Sequence, residues 1–125
     1  MKILVVEDAP SDLKLARVVL SSAGHEISEA ETAETALAVI REDPPELMLL
    51  DLKLPGISGL ALIRQLKGDR TTRDIPIVAV TSYPDDWTQQ EALDAGCTAY
   101  LTKPIDMRKL VQQIADITSG HRESV

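Results

Sequence analysis

The sequence predicts an α/β fold, five βα units forming a parallel sheet with helices on both faces, and three observations predict it. Four short apolar runs, Lys2-Ile3-Leu4-Val5-Val6, Leu47-Met48-Leu49-Leu50, Ile75-Pro76-Ile77-Val78-Ala79-Val80 and Ala99-Tyr100-Leu101-Thr102, are separated by stretches with helical spacing. Continuous apolar runs of this length mark strands buried on both faces, as parallel strands are. Strand and helix patterns then alternate along the chain without linker or repeat, which is the pattern of an α/β sandwich. Each run also ends in a residue with chemistry to offer: Glu7-Asp8, Asp51, Thr81-Ser82 and Lys103-Pro104. In an open parallel sheet ligands bind at the carboxyl ends of the strands. Three carboxylates, a hydroxyl and an ammonium therefore converge on one pocket, fit for a divalent cation and a phosphoryl group.

The elements follow in order. After the first strand, Leu13, Ala16, Val19, Leu20 and Ala23 recur at helical spacing, and Gly24 stops that helix. Glu26 to Ala30 reads as a weak second strand. Ala33 to Ile40 forms the second helix, with Ala36, Leu37 and Ile40 on one face, and Asp43-Pro44-Pro45 breaks it. Pro55-Gly56-Ile57-Ser58-Gly59 is a loop into a third helix carrying Leu60, Ile63 and Leu66. Asp85-Asp86 place negative charge at the start of a fourth helix, where the dipole favours it, and Gly96 ends it. Asp106 caps a fifth helix whose Leu110, Ile114 and Ile117 face the core. The domain is expected at residues 1–118, with 119–125 a frayed tail.

Composition narrows the function. A chain of 125 residues is one domain, able to bury about two-thirds of the surface its unfolded form exposes. A net charge of −7 argues against direct nucleic-acid binding and against an anionic membrane surface. The first apolar run is cut at Glu7, too early for a signal-peptide core, and no stretch approaches a membrane span. The one cysteine, Cys97, forms no internal disulfide and fits a reducing cytoplasm; it reads as a small buried hydrophobe beside a turn glycine. His25 and His121 lack ligand spacing and read as solvated.

Taken together, Val5-Val6-Glu7-Asp8, Leu50-Asp51-Leu52-Lys53-Leu54-Pro55-Gly56-Ile57-Ser58-Gly59, Ala79-Val80-Thr81-Ser82 and Tyr100-Leu101-Thr102-Lys103-Pro104 resemble a receiver domain of the two-component response regulators, of the single-domain, chemotaxis-regulator-like kind. The resemblance covers residues 2 to 117. Each segment alone is weak; all in order at one-domain spacing are specific. The resemblance implies a flavodoxin-like doubly wound sheet of order 2-1-3-4-5, so that Glu7-Asp8 and Asp51 lie side by side.

It also implies roles. Asp51 is the nucleophile that accepts a phosphoryl group as an acyl phosphate. Mg²⁺ neutralises the approach, with Asp8, Asp51 and the backbone carbonyl of Lys53 as ligands and Glu7 acting through a bound water. Lys103 holds one phosphoryl oxygen, Thr81 donates its hydroxyl to another, and Ser82 leaves access by being small. Tyr100 is the switch aromatic, turning inward as Thr81 moves, and Trp87 borders the same face. The Lys103-Pro104 bond is expected cis. Lys53 and Tyr83 flank the path of the hydrolytic water, and neither is a base at neutral pH, so slow self-dephosphorylation is expected. The donor is a histidine kinase or histidine phosphotransfer protein, and the output is a protein target on the face of the fourth helix, last strand and fifth helix. The protein is expected to be a cytoplasmic monomer or phosphorylation-linked dimer, primarily a switch, with no DNA-binding output in these residues.

Other classes fit less well. A flavodoxin-type flavin carrier needs a hydroxyl- and glycine-rich phosphate loop after the first strand, where Glu7-Asp8 would repel phosphate. A dinucleotide binder needs a glycine-rich turn there. A haloacid-dehalogenase-type phosphatase wants an acid two residues past its nucleophile, where Lys53 stands. The alternative is a receiver-like interaction module working without phosphorylation, or a receiver excised from a hybrid kinase.

Overall fold

In the computed structural model, residues 1–54, 56–82 and 86–123 are described, residues 86, 87 and 119–123 by backbone alone. The described elements alternate: β1 (Lys2–Val6), α1 (Pro10–Ser22), β2 (Glu26–Ala30), α2 (Ala33–Glu42), β3 (Leu47–Asp51), α3 (Gly59–Lys67), β4 (Ile77–Thr81), α4 (Asp86–Ala95), β5 (Ala99–Thr102) and α5 (Met107–Glu123). The strands pair in parallel as one sheet of order β2-β1-β3-β4-β5. The expected fold class and strand order are both found.

Strand residues alternate between two cores, as the period of two requires. Leu4, Val6, Met48, Leu50, Ile77 and Ala79 pack on the side of α2, α3 and α4. Ile3, Val5, Leu47, Leu49, Val78 and Val80 pack on the side of α1 and α5. Burial on both faces is why these strands read as unbroken apolar runs. β2 is an edge strand, its residues mostly half-buried, and its sequence signal is weak for that reason.

The helix ends carry their own chemistry. The Thr32 and Ser58 hydroxyls accept the Thr35 and Ala61 N–H groups at 3.1 and 3.2 Å, capping α2 and α3. Asp106 accepts the N–H groups of Arg108 and Lys109 at the start of α5, the cap expected from sequence. Asp86 opens α4; Asp85 lies outside the described residues.

Four details differ from the sequence pattern. Ala23 is exposed, because it is the C-cap of α1 and has left the helical face. α3 buries Leu62 beside Ile63 and Leu66, with Leu60 only half-buried. α5 continues to Glu123, past residue 118. His25 is half-buried, its Nδ1 3.2 Å from the Met1 amino group, and burial lowers its pKa. Cys97 is buried as expected, and burial pushes its thiol pKa up. Among the described residues no helix is long and apolar enough to cross a membrane.

Candidate functional site

The carboxyl ends of four strands meet at one edge of the sheet. Val6 pairs with Leu50 and Asp51 with Val80, so Glu7, Asp51 and Thr81 stand nearly abreast. Glu7 extends the β1 ladder by donating its N–H to the Ala30 carbonyl at 3.0 Å. Lys103 donates its N–H to the Thr81 carbonyl at 2.7 Å, which pins the end of β5 to the end of β4. The Lys103-Pro104 peptide bond is cis, as expected.

Glu7, Asp51 and Thr81 are buried and Asp8 is exposed. One carboxylate oxygen from each of Glu7, Asp8 and Asp51 lies within 4.8 Å of the others. Oxygens this near to one another can enter one octahedral shell, which is about 4.2 Å across. The acidic pocket is thus compatible with a metal ion.

The Lys103 ammonium reaches back from β5 across β4, donating to Glu7 Oε1, to Asp51 Oδ2 at 2.9 Å and to Asp12 Oδ2 at 3.1 Å. Its three N–H donors thus meet three carboxylates. Burial disfavours its charge, but the bonds to Glu7, Asp51 and Asp12 outweigh that and hold its pKa above the ordinary lysine range. The second oxygens are also satisfied: Glu7 Oε2 accepts the Ala9 N–H at 3.2 Å and Asp51 Oδ1 accepts the Lys53 N–H at 2.9 Å. Burial pushes the Glu7 carboxyl up to about 7, with Asp51 adding to the shift, while Lys103 and the Ala9 N–H pull it down.

This shift has a measurable consequence. A folded pKa near 7 against an ordinary 4.5 means that the folded state holds the proton more tightly. The stabilising contribution is complete below the unfolded pKa and is lost as pH rises through the folded one. In metal-free buffer, the stability difference between wild type and Glu7→Gln should fall between about pH 4.5 and 7 and then level off. Denaturant titrations across that window check this, and a difference independent of pH would contradict it.

The remaining predicted site residues are placed as follows. Lys53 and Ser82 are exposed beside the pocket, and Tyr100 is half-buried against the core on the α4 side. Tyr83 and the side chain of Trp87 lie outside the described residues. Sequence reasoning missed Asp12. Its signal was available: it falls four residues after Asp8, in the first turn of α1, where the helix dipole favours an acid.

Five parallel strands with an acidic cluster, a hydroxyl and a lysine at their carboxyl ends define a receiver. The family model for the response regulator receiver domain matches residues 3–115, and the chain belongs to that family. It is 37% identical over 117 residues to the response regulator PleD of Caulobacter vibrioides, covering 94% of this chain and 26% of that protein. It is 34% identical over 112 residues to the polar-differentiation response regulator DivK of Brucella ovis, covering 90% of this chain and 91% of DivK. A crystal structure of a CheY-like receiver domain protein from Methanospirillum hungatei superposes with a TM-score of 0.89 at 29% identity, covering 99% of this chain and 98% of that one. The chain thus spans about a quarter of PleD and nearly all of DivK. Family membership implies a phosphoryl-acceptor role.

Proposed function

We propose that this chain takes a phosphoryl group onto Asp51 from a phosphohistidine on a histidine kinase or phosphotransfer protein, and reports the change to a protein partner. The observation that carries the reading is the Lys103 ammonium at 2.9 Å from a buried Asp51 that sits in a three-carboxylate cluster. An Asp51 carboxylate oxygen attacks phosphorus as the P–N bond breaks, and the donor imidazole leaves neutral with the proton on its other nitrogen. Bound Mg²⁺, held by Asp8, Asp51 and the Lys53 carbonyl with Glu7 acting through water, would supply positive charge to a reaction between two anions. Lys103 holds a phosphoryl oxygen as a point charge and Thr81 donates its hydroxyl to another. Ser82, small and exposed, leaves the approach open.

The same arrangement supports a switch. Thr81 ends β4, and Tyr100 lies two strand positions before its cross-strand neighbour Thr102. A groove beside it is lined by Gln89, Tyr100, Thr102, Pro104, Asp106 and Lys109, on the face of α4, β5 and α5. Movement of Thr81 toward a phosphoryl group changes what Tyr100 packs on, and so changes that face. Slow self-dephosphorylation is part of the reading, because Lys53 and Tyr83, at the sequence positions two past Asp51 and two past Thr81, are not bases at neutral pH. A complete pocket favours this account over a module that works without phosphorylation.

Acetyl phosphate should label the protein in millimolar Mg²⁺ and leave it unlabelled in excess chelator. Mg²⁺ alone should raise the melting temperature by a few degrees, about 1.4 kcal/mol at ten times its Kd, and Asp8→Asn should remove most of that rise. Equal labelling with and without the metal would refute the mechanism.

A further inference from the structure

The Lys103 ammonium is shared unequally among its carboxylates. Glu7 and Asp51, the two nearer partners, belong to the cluster that fits a metal, and their side chains are each 7% exposed. Asp12, the most distant at 3.1 Å, is not in that cluster and its side chain is 44% exposed. A divalent cation entering among Glu7, Asp8 and Asp51 competes with the ammonium for the negative charge of two of the same carboxylates, and two cations held there repel each other. The lysine then gives ground, and Asp12, outside the cluster and with the more exposed side chain, is the partner left to hold it. There the ammonium keeps a charge-assisted bond while regaining water, so displacement costs little.

We propose that Asp12 is a positioning residue for Lys103: it retains the lysine beside the pocket when a divalent cation enters among Glu7, Asp8 and Asp51. Without Asp12 the displaced ammonium has no fixed partner and competes harder for the cluster, so metal binding weakens even though Asp12 is not a ligand. The long Asp12 contact shortens once the cation is in the cluster, and the lysine stays within reach of an incoming phosphoryl oxygen. This inference rests on the metal reading above and adds to it a residue on α1.

A double-mutant cycle on the full chain tests it, with Mg²⁺ affinity measured by titration calorimetry. Asp12→Asn should weaken Mg²⁺ binding about three- to fivefold when Lys103 is present, the upper range of a partly exposed ion pair. In a Lys103→Met background the same substitution should change the affinity by no more than about 1.5-fold, because the residue through which Asp12 acts is gone. Equal losses in both backgrounds would mean that Asp12 acts on the metal directly, and no loss in either would mean that it does not position the lysine; both overturn the proposal. A wild-type protein that binds no Mg²⁺ would overturn the metal reading itself, and this inference with it.

Discussion

Asp51→Asn should take up less than about one per cent of the wild-type label from acetyl phosphate in Mg²⁺. The substitution is nearly isosteric, so what changes is chemistry. A carboxylate oxygen carries the lone pair and negative charge that attack phosphorus; an amide oxygen is a far poorer nucleophile. The fold should survive. Asp51 Oδ1 accepts the Lys53 N–H and Oδ2 accepts from Lys103, and an asparagine keeps one acceptor for these two donors. Removing the Asp51 charge from beside Glu7 also offsets part of what is lost. The melting temperature should therefore move by only a few degrees, equivalent to about 1 kcal/mol. Label retained above a tenth of the wild-type level in a folded Asp51→Asn protein would show that another residue accepts the phosphoryl group.

Gly59→Ala should be the most damaging single-methyl change at the site. Gly59 opens α3 and donates its N–H to the Leu52 carbonyl at 3.0 Å. A β-carbon there would stand 2.6 Å from Leu52 Cα and 2.8 Å from the Asp51 carbonyl oxygen. Both are backbone atoms, so no side chain can rotate away; either α3 lifts off or the end of β3 shifts. Overpacking of this kind costs about 3 kcal/mol, lowering the melting temperature by on the order of 10 °C. Because the strained segment carries Asp51, labelling should also slow at temperatures where the variant is fully folded. Gly68→Ala is the control. Gly68 has a helical φ of −82°, and a β-carbon there would come no nearer than 3.3 Å to the Arg64 carbonyl. If the two variants melt together, the close approach of α3 to β3 does not carry the weight given to it.

Much of this was legible in the chain. The unbroken apolar runs announced strands buried on both faces, because a parallel sheet covered by helices leaves no polar side to alternate. Glu7, Asp8, Asp51, Thr81 and Lys103 were legible as a group because parallel strands all end at one edge, so residues distant in sequence become neighbours by topology alone. The less legible features depended on packing. Leu60 and Leu62 flank Ile63 from opposite sides of α3, about 160° apart around the helix, and periodicity alone does not fix which of them the sheet covers. Ala23 keeps helical spacing with Leu20, yet the helix has ended and its side chain is in solvent.

By itself, then, the sequence determined the class of fold, the strand order through family resemblance, and the set of groups at the carboxyl edge. These follow from hydrophobic period and connectivity, which are properties of the chain read in one dimension. Only the tertiary structure decided how those groups share charge. Lys103 spans β4 to reach Asp51 and Glu7, and α1 returns Asp12 to the same ammonium, so one lysine answers carboxylates from the ends of β1 and β3 and from α1. Burial then raises the Glu7 carboxyl to about 7 while the half-buried Asp12 remains in reach of water. Charge sharing depends on distances of a few ångströms and on which oxygens lose solvent. Spacing along a sequence carries neither.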